Sequence, residues 1–372
     1  MTKIYVIRHA EAEGNLYRIA QGQYDSLITD RGFRQVAALE KRFENIHVDA
    51  VYSSDLYRTC VTAGAVYIPR RLPLHRRKDL REICVGSWEQ KTWGEIVRTD
   101  PEQMANFSLH LDRWRVEGAE TPEQVRDRVL VAVREIAAEN DGKTVAVFSH
   151  GCAIRILLAT LQGYGISRIG ETPLGSNTAV SLLEADGTEL RVVFRDDVSH
   201  LTEEITRKRT GKRPRPLDPG LYFEQVRLPE RRDWLLNLAA EAWADSGESR
   251  PLRQETVLGG NRLTLTGALD GGAAVGLLQL ELEREADRKR GWISLCYIDR
   301  DSRKQGYGVQ LLGQAVQRFR PLGRETLCVA LRPGAAAERF FREYGFHPTC
   351  ETTADGRQVL EKDIAFHPLP EF

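Results

Sequence analysis

The chain has 372 residues, enough for about two domains of ordinary size, and its 53 basic side chains balance 53 acidic ones. This balance gives no overall field that would favour nucleic acid or an acidic membrane, so we expect neither as a partner. A hydrophobic fraction of 41% is ordinary for a soluble globular protein.

No apolar stretch approaches the length of a membrane span, and Lys3 is followed by a short strand-like run instead of the long apolar region of a signal peptide. The six cysteines are scattered and none forms a C-x-x-C pair, which is typical of reduced thiols and argues against a zinc site. We therefore predict a cytoplasmic protein without a metal, and the oligomeric state stays open.

Residues 1–206 alternate short apolar runs with amphipathic segments. Residues 3–7 and 144–148 are rich in β-branched side chains and are typical of buried strands. One helix is predicted to begin after Thr29-Asp30, and another at about Thr121, where Thr-Pro-Glu-Gln offers an N-cap, a proline in the first turn and an early acid. Such alternation predicts an α/β fold with a mostly parallel sheet and helices on both faces.

Two histidines follow these two strands. Arg8-His9 comes directly after the first strand, and Ser149-His150-Gly151 comes directly after the second. In open α/β sheets, ligands bind outside the carboxyl ends of the strands, so we expect both histidines to face one crevice. Arg8 adds a fixed positive charge whose fork geometry suits phosphate. This arrangement predicts a site at which a histidine attacks a phosphoryl group.

Further motifs follow in chain order. Together with the first, they occupy residues 8–15, 24–32, 53–63, 80–82, 86–89, 118–121 and 149–151. The ordered set resembles the histidine phosphatase superfamily, whose fold is phosphoglycerate-mutase-like. The resemblance covers essentially all of residues 1–206 and implies that they form one domain.

The resemblance implies which two residues carry out the reaction. His9 matches the nucleophile: a neutral imidazole attacks phosphorus and stores the group as phosphohistidine, which splits one displacement into two. Glu82, in a Leu-x-Glu pattern, matches the general acid/base that protonates the leaving alkoxide and later takes a proton from water. Either residue alone is more often a satisfied polar group or a surface carboxylate, but the complete ordered set favours catalysis.

The resemblance also implies a cradle for the phosphoryl oxygens. Arg8, Arg58 and His150 balance the charge that gathers on these oxygens during transfer, and Asn15 donates a further hydrogen bond. Gly151 opens a helix, so its backbone N–H and the helix N-terminus are expected to point at the anion. Because protein donors neutralise the phosphate, the reaction needs no metal.

The first part of the chain departs from the family pattern at Ala10, where glycine is usual, but alanine is small enough to keep the backbone close to phosphate. The basic residues 70–71 and 76–78 either strengthen the attraction for an acidic substrate or lie on a solvated loop. The segment between Glu82 and Gly118 is short, whereas mutases of the family carry longer insertions over the pocket. This favours a phosphatase and leaves a sugar-phosphate mutase as the alternative.

Residues 207–220 change composition sharply, with six basic residues and three prolines in fourteen positions. Such a segment cannot build a core, and we predict a semi-extended linker between two domains. A nucleic-acid-binding role is the alternative interpretation of its charge.

Residues 221–372 are predicted to form the second domain. We expect strands at 222–226, 262–269, 274–283, 292–298 and 326–331, and helices at 231–244, 307–319 and 335–344. Turn residues at Asp270-Gly271-Gly272 separate two of these strands.

A glycine-containing turn lies between the strand at 292–298 and the helix after it. Such a turn presents successive N–H groups to an anion, and pyrophosphate is the natural guest. The spacing Arg-x-x-Gly-x-Gly over residues 303–308, together with the motif at 337–346, resembles GNAT-type N-acetyltransferases. This resemblance implies an α+β domain with a mixed sheet, acetyl-CoA as co-substrate and a small amine as acceptor. The residues that it implies for coenzyme binding are Ile298, Arg303, Lys304, Gln305, Gly306, Tyr307, Gly308 and Val309.

The second domain departs from its family at the residues that move protons. Phe341 stands where a tyrosine usually protonates the departing thiolate, and Tyr344 is the candidate to replace it. No glutamate lies in residues 292–298 to act as a base, although Glu281 and Glu283 lie on the preceding strand. Binding of acyl-CoA without turnover therefore remains an alternative to catalysis.

We predict a bifunctional enzyme that combines a metal-independent phosphomonoesterase for a small phosphorylated metabolite with an acetyl-CoA-dependent N-acetyltransferase for a small amine. The alternatives are a phosphatase with a non-catalytic regulatory domain that binds acyl-CoA, and a sugar-phosphate mutase. A linker of fourteen residues keeps two sites within roughly a few tens of ångströms. One metabolite that carries both a phosphate ester and an amine can then be processed at both sites, and two unrelated activities are the alternative.

Overall fold

The structure is a computed structural model of the 372-residue chain. It describes residues 1–187, 189–206, 220–227, 231–245, 252, 254–259, 261–272 and 274–372, with the backbone alone at Thr256. The predicted linker at 207–220 lies outside the described residues except for Gly220.

The chain divides into two compact units that exchange short segments of sequence. The first unit comprises Met1–Lys91, Thr99–Asp218 and Pro368–Phe372, and the second comprises Thr92–Arg98 and Pro219–His367. The domain limits expected from the sequence, at 206 and 221, stay a prediction. The sequence analysis did not predict that Thr92–Arg98 would belong to the second unit or Pro368–Phe372 to the first.

The elements before residue 206 alternate as the sequence predicts. The strands are β1 (Thr2–Arg8), β2 (Ala50–Ser54), β3 (Leu74–Arg77), β4 (Thr144–Ser149), β5 (Val180–Asp186) and β6 (Glu189–Asp197). The helices are α1 (Glu13–Tyr17), α2 (Asp30–Phe43), α3 (Tyr57–Arg70), α4 (Trp93–Thr99), α5 (Pro101–Leu109), α6 (Pro122–Glu139) and α7 (Gly151–Leu161). Short 3₁₀ turns occur at Lys78–Leu80, Gly86–Trp88, Leu111–Arg113 and Ile166–Glu171.

Within the described residues, the strands of the first unit form one six-stranded sheet in the order β3-β2-β4-β1-β5-β6. β3, β2, β4 and β1 are parallel, whereas β5 and β6 continue the sheet in antiparallel fashion. Arg8 at the end of β1 lies opposite Ser149 at the end of β4. The residues that follow these two strands therefore emerge at the same edge of the sheet, as predicted.

Local capping explains where two of the helices begin. The Thr29 side chain accepts a hydrogen bond from Gly32 N, and Thr121 forms a reciprocal capping box with Gln124 before α6. The sequence predicted the start at Thr121, and it placed the start of α2 one residue later than the structure does. The apolar face of α2 ends in the core, where Phe43 is fully buried and packs edge-to-face with Tyr5 of β1.

The tail at Pro368–Phe372 belongs to the first unit. Tyr67 Oη of α3 donates to Pro370 O at 3.0 Å, and the Tyr67 ring lies edge-on to Phe372 with centroids 6.2 Å apart. Arg76 of β3 pairs with Glu371 at 3.4 Å. The tail is thus held by an aromatic contact, a hydrogen bond and an exposed ion pair.

The second unit contains a mixed sheet with helices. Its strands are β7 (Tyr222–Gln225), β8 (Arg262–Ala268), β9 (Ala274–Glu281), β10 (Arg290–Ile298), β11 (Thr326–Leu331), β12 (His347–Thr352) and β13 (Gln358–Asp363). Its helices, besides most of α4, are α8 (Arg232–Asp245), α9 (Gln254–Leu258), α10 (Gly308–Phe319) and α11 (Ala336–Glu343), with 3₁₀ turns at Ala286–Arg288, Arg300–Ser302 and Arg320–Leu322.

Among the described residues, these strands form a seven-stranded sheet in the order β12-β13-β11-β10-β9-β8-β7. β10 and β11 pair in parallel, but only from Arg290 opposite Thr326 to Ile293 opposite Val329. A bulge follows, and residues 295–298 continue to pair with β9 on the other side. The carboxyl-terminal half of β10 therefore lacks β11 as a neighbour, and the loop that precedes α10 leaves from this end.

No helix in the described part of the chain has both the length and the apolar character needed to cross a bilayer.

Candidate active sites

His9 leaves the end of β1 with its imidazole fixed in one tautomer. Its backbone N–H donates to Ser149 O at 3.0 Å, and its ring Nδ1 lies 2.7 Å from Ala10 O. A carbonyl oxygen only accepts hydrogen bonds, so Nδ1 carries the proton and Nε2 keeps its lone pair. The ring thus presents the unprotonated nitrogen that a nucleophile needs.

The electrostatic surroundings keep this ring neutral. His9 is 2% exposed, and burial is the main cause that holds its pKa well below the usual range. The positive charges of Arg58 and Arg8 lower the pKa further, while the Ala10 carbonyl opposes the shift. His9 is therefore an uncharged base at neutral pH although two guanidinium groups lie near it.

His150 follows β4 and faces His9, with ring centroids 5.3 Å apart. The ring is fully buried, and its pKa is also held well below the usual range by burial and then by Arg58 and His9. Its Nε2 lies 2.8 Å from Ser54 Oγ, which accepts from Leu56 N. His150 Nδ1 is buried and has no hydrogen-bond partner among the described residues, so it is available to a ligand.

Arg58, near the start of α3, is a buried cation. Its Nη1 and Nη2 donate to Tyr24 O at 2.8 Å and Gly22 O at 2.7 Å, while its buried Nε has no partner in the described chain. Burial lowers its pKa to about 10, against the opposing charge of nearby Glu82. The guanidinium therefore stays protonated at neutral pH, and its Nε–H is available to a ligand.

Arg8 lies against Gly151. Its Nη1 donates to Gly175 O, and a Cβ built on Gly151 would lie 3.0 Å from Arg8 Cζ and 3.1 Å from its Nε. Glycine at the start of α7 thus makes room for the guanidinium. Sequence reasoning expected Gly151 here for its N–H, and that role stays a prediction.

Glu82 occupies the N-terminus of α7. Its Oε2 accepts from Cys152 N at 3.1 Å, and its Oε1 accepts from Ala153 N at 2.9 Å. We expected this helix end to be open to the phosphate. The structure corrects that expectation, because the carboxylate already takes these two N–H groups, as an anion at a helix N-terminus should. The same contacts hold Glu82 at the start of α7, the helix that follows His150.

Asn15 is held through its oxygen. Asn15 Oδ1 accepts from Ala12 N at 3.1 Å and from Asn177 Nδ2 at 3.3 Å, so its NH₂ group is the end left to donate. Asn177 Nδ2 also donates to His9 O at 3.0 Å. Sequence reasoning missed Asn177 and the contact of Ser54 with His150. Ser54 lies within a recognised motif, but the loop that carries Asn177 has no motif.

The basic residues at 70–71 and 76–78 lie at the end of α3 and on β3. Arg70 donates to the backbone of Phe43, Ile46 and Val66, and Arg77 pairs with Asp79 and Glu135. These two guanidinium groups are therefore committed to local partners.

The loop between β10 and α10 is built around its backbone. Arg303 Nε donates to Ile298 O at 2.9 Å, and its guanidinium pairs with Asp245, the last residue of α8. Gly306 has a φ of 82°, and a Cβ there would meet nothing within 4 Å. In the described chain, Gln305 N and Gly306 N donate to no backbone carbonyl. Open N–H groups beside free space fit the pyrophosphate of acetyl-CoA.

Gly308 has a different task, because a Cβ there would lie 3.0 Å from the Phe340 ring of α11. Phe340 in turn contacts Phe341 and Tyr344, with centroid distances of 5.3 and 5.1 Å. Phe341 is 3% exposed and packs against Phe346. The ring at the position of the family's tyrosine is thus part of the core.

Glu281, which the sequence offered as a base, lies far from the loop, and Asp245, which lies beside the loop, is weakly basic. Glu281 lies opposite Trp292, at the start of β10, and Gly276 lies opposite Ile298, so about 17 Å of strand separates Glu281 from the loop. Asp245 lies beside the loop, but hydrogen bonds from Arg300 and Arg303 lower its pKa to about 2. Neither group is a ready general base at neutral pH.

Two family models match different parts of the chain. Residues 4–198 match the histidine phosphatase superfamily (branch 1), and residues 228–346 match the acetyltransferase (GNAT) family. Each match falls on the part of the chain for which the sequence indicated that family.

Relatives of known name match the first half of the chain. The chain is 29% identical to Phosphoserine phosphatase 1 of Hydrogenobacter thermophilus over 168 residues, and the matched stretch covers 45% of this chain and 80% of that protein. It is 29% identical over 214 residues to the probable phosphoglycerate mutase GpmB of Proteus mirabilis, covering 55% of this chain and 96% of that one. Bacillus stearothermophilus YhfR is a solved structure at 32% identity and a TM-score of 0.53, covering 54% of this chain and 99% of that chain.

Proposed function

The chain belongs to the histidine phosphatase superfamily and carries a GNAT acetyltransferase domain after it, and from this premise we propose that its first unit hydrolyses small phosphomonoesters through phospho-His9. The main support is a buried neutral imidazole with Nε2 available, set between the charges of Arg8 and Arg58 and 5.3 Å from His150.

In the first step, His9 Nε2 attacks phosphorus, the P–O bond of the ester breaks, and the leaving alkoxide takes a proton from the Glu82 carboxyl. In the second, Glu82 takes a proton from water, whose oxygen attacks the phosphohistidine, and inorganic phosphate leaves with His9 restored. Arg8, Arg58, Asn15 and the Nδ1 of His150 balance the charge on the phosphoryl oxygens. No metal takes part in this scheme.

The mutase alternative differs only in the acceptor of the phosphoryl group. The names of the relatives include both a phosphoserine phosphatase and a probable phosphoglycerate mutase, and the short segment after Glu82 favours water. We expect phosphoserine to be among the substrates because of the first relative's name. Incubation of the chain with phosphoserine and with 3-phosphoglycerate, followed by assay of free phosphate and of isomerised product, decides between the reactions. Isomerisation without phosphate release would overturn the hydrolase.

For the second unit, the proposal is that the loop at 303–309 binds acetyl-CoA, whose thioester supplies the acetyl group for a small amine. Gly306 offers a sharp test, because asparagine and aspartate tolerate positive φ and a Cβ there meets nothing within 4 Å. Gly306→Asp puts a negative charge beside the pyrophosphate and should weaken binding about tenfold, whereas Gly306→Asn is the uncharged control. Titration calorimetry with acetyl-CoA on the full chain measures both. Equal affinities would contradict the cradle.

A specific set of contacts favours the regulatory alternative, in which the second unit reports acetyl-CoA to the phosphatase. Gln310 Nε2 of α10 donates to Gly306 O at 3.2 Å, and its Oε1 accepts from Leu221 N at 2.8 Å. A Cβ on Gly94 of α4 would lie 2.4 Å from the Leu221 carbonyl carbon. Gln310 thus connects the loop to Leu221, the residue before β7, against which α4 packs. In the sequence, α4 lies between Glu82 and Gly118, within the part of the chain that matches the phosphatase family.

Phosphatase kinetics of the full chain with and without saturating acetyl-CoA test this alternative. A shift in KM that persists in Gly306→Asn and disappears in Gly306→Asp would support regulation. Identical kinetics with and without the coenzyme, in a chain that calorimetry shows to bind it, would exclude it and leave acetyl transfer as the role of the second unit.

A further inference from the structure

Arg128 of α6 is a half-buried arginine whose five N–H groups all have acceptors. Its Nη1 donates to Asp79 O at 2.9 Å and Arg81 O at 2.7 Å, and its Nη2 donates to Glu82 O at 2.9 Å. Its Nε and Nη2 also donate to the two oxygens of Glu120, at 2.8 and 2.9 Å. A guanidinium has five N–H groups, and all five have acceptors here.

Arg128 and Glu120 form an ion pair that we call the clamp. Glu120 is the residue before the N-cap of α6. Its Oε2 accepts from Cys84 N at 2.8 Å and lies 3.4 Å from Gln23 Nε2, while both oxygens receive Arg128. The Arg128–Glu120 pair therefore holds the backbone on both sides of Glu82, from residue 79 to residue 84. The two side chains are only 19% and 23% exposed, unlike an ordinary surface ion pair.

The two ends of Glu82 are thus fixed by different elements. The clamp holds its backbone carbonyl, and the first N–H groups of α7 hold its carboxylate at 2.9 and 3.1 Å. Proton transfer to a leaving group requires the donor within hydrogen-bond reach, and an error of about 1 Å can cost about a hundredfold in rate. A residue that sets the backbone of the general acid therefore acts on this step.

We infer that Arg128 and Glu120 are positioning residues for Glu82, which set the reach of the general acid toward the leaving group without touching the substrate. The inference rests on the proposed phosphatase function. The role requires an arginine, because lysine keeps the charge but cannot bind three carbonyls and a carboxylate at once.

The test compares two leaving groups in the full chain. 4-Nitrophenyl phosphate loses a stable phenolate and needs little protonation, whereas an alkyl phosphate that the wild type hydrolyses, such as phosphoserine, depends on the acid. Arg128→Lys should lower kcat/KM at least tenfold more for the alkyl than for the aryl ester, with the loss in kcat. Arg126→Lys is the matched control on the same helix, since the Arg126 guanidinium pairs with its exposed neighbour Asp127, and it should match wild type.

Glu120→Gln serves as a second variant, because it keeps the shape of the side chain while weakening the clamp, and it carries the same comparison if Arg128→Lys folds poorly. Equal losses for the two esters in the folded variants would show a structural role alone and overturn the inference.

A double-mutant cycle separates positioning from stability. In the Glu82→Gln background no proton is available, so Arg128→Lys should cause no further selective loss with the alkyl ester. Full additivity would overturn the inference. Failure of the wild type to release phosphate from 4-nitrophenyl phosphate, or activity that survives His9→Ala, would instead refute the proposed function, and the two failures are therefore distinguishable.

Discussion

The site at the ends of β1 and β4 and the loop between β10 and α10 are both proposed to bind a phosphorylated ligand, but they differ in construction. The first uses buried side chains that neighbouring elements hold in place: His9 and Arg58 are 2% and 1% exposed. The second uses the backbone, with Gly306 at a positive φ and open N–H groups at the surface. Side chains such as an imidazole and a carboxyl can supply a nucleophile and a proton, whereas backbone N–H groups supply hydrogen bonds to an anion.

This difference predicts that single side chains decide the first activity and leave the second site unchanged. His9→Ala should abolish phosphate release while acetyl-CoA binding, measured by calorimetry, keeps its wild-type affinity. His47→Ala is the control, because this histidine is 82% exposed and pairs with Asp49. Phosphate release near the wild-type rate in His9→Ala would remove the nucleophile from the proposal.

A smaller loss is expected where a side chain is displaced instead of removed. In Gly151→Ala, the new Cβ would lie 3.0 Å from Arg8 Cζ, so the guanidinium must shift by a few tenths of an ångström. We expect kcat/KM for phosphate release to fall about tenfold. The control is Gly165→Ala, because a Cβ there meets nothing within 4 Å and the residue has an ordinary φ of −68°. Unchanged kinetics in Gly151→Ala would mean that Arg8 adapts at no cost.

The buried histidines also make the first unit sensitive to acid. Folding lowers the pKa of His9 and His150 well below 6.5 and that of His200 to about 4. Below pH 6.5, the unfolded chain therefore binds more protons than the folded chain. The contribution of these histidines to the free energy of unfolding is fully present above pH 6.5 and is lost as the pH falls below that value. The largest slope is about 1.4 kcal/mol per pH unit for each histidine.

Urea unfolding at a series of pH values measures this slope. His9→Gln removes one of the titrating rings, so the free energy of unfolding should depend on pH less steeply than in wild type. Identical slopes would contradict the depressed pKa of His9. The loop between β10 and α10 contains no histidine, and acetyl-CoA affinity should change less over the same range.

The smallest effect is expected for Phe341→Tyr, which restores the hydroxyl usual in the acetyltransferase family. Because Phe341 is 3% exposed and packs against Phe346, the hydroxyl enters the core, and we expect a loss of about 1 kcal/mol in stability without faster acetyl transfer. Thermal unfolding and a thiol-release assay measure the two quantities. A faster rate would show that the ring edge faces the thiolate and would assign proton donation to this position.

Sequence patterns predicted what depends on neighbours along the chain. The strands before His9 and His150 and the helix start at Thr121 follow from local periodicity and capping, and the structure confirms them. The start of α2 was predicted one residue later than it lies. The resemblances to the two families added the fold class of each part of the chain, which local patterns alone do not give.

What the sequence could not predict depends on distant segments meeting. The carboxylate of Glu82 lies on the N-terminus of α7, some seventy residues later, and no local pattern records that approach. β12 and β13 were missed because HPTCET and QVLEKD contain few apolar residues and β12 is largely exposed. Phe341 was recognised as a departure, but only packing reveals that its ring belongs to the core.

The exchange of short segments between the two units has a consequence for synthesis and for the gene. A ribosome makes residues 1–206 long before Pro368–Phe372, so the first unit gains the contacts of Tyr67 with Pro370 and Phe372 only after that segment has been made. Thr92–Arg98, conversely, is made before the rest of its own unit and must wait for Pro219–His367. Truncation inside the second unit would therefore alter the first, and a gene divided near residue 220 would encode two products that each lack a piece carried by the other.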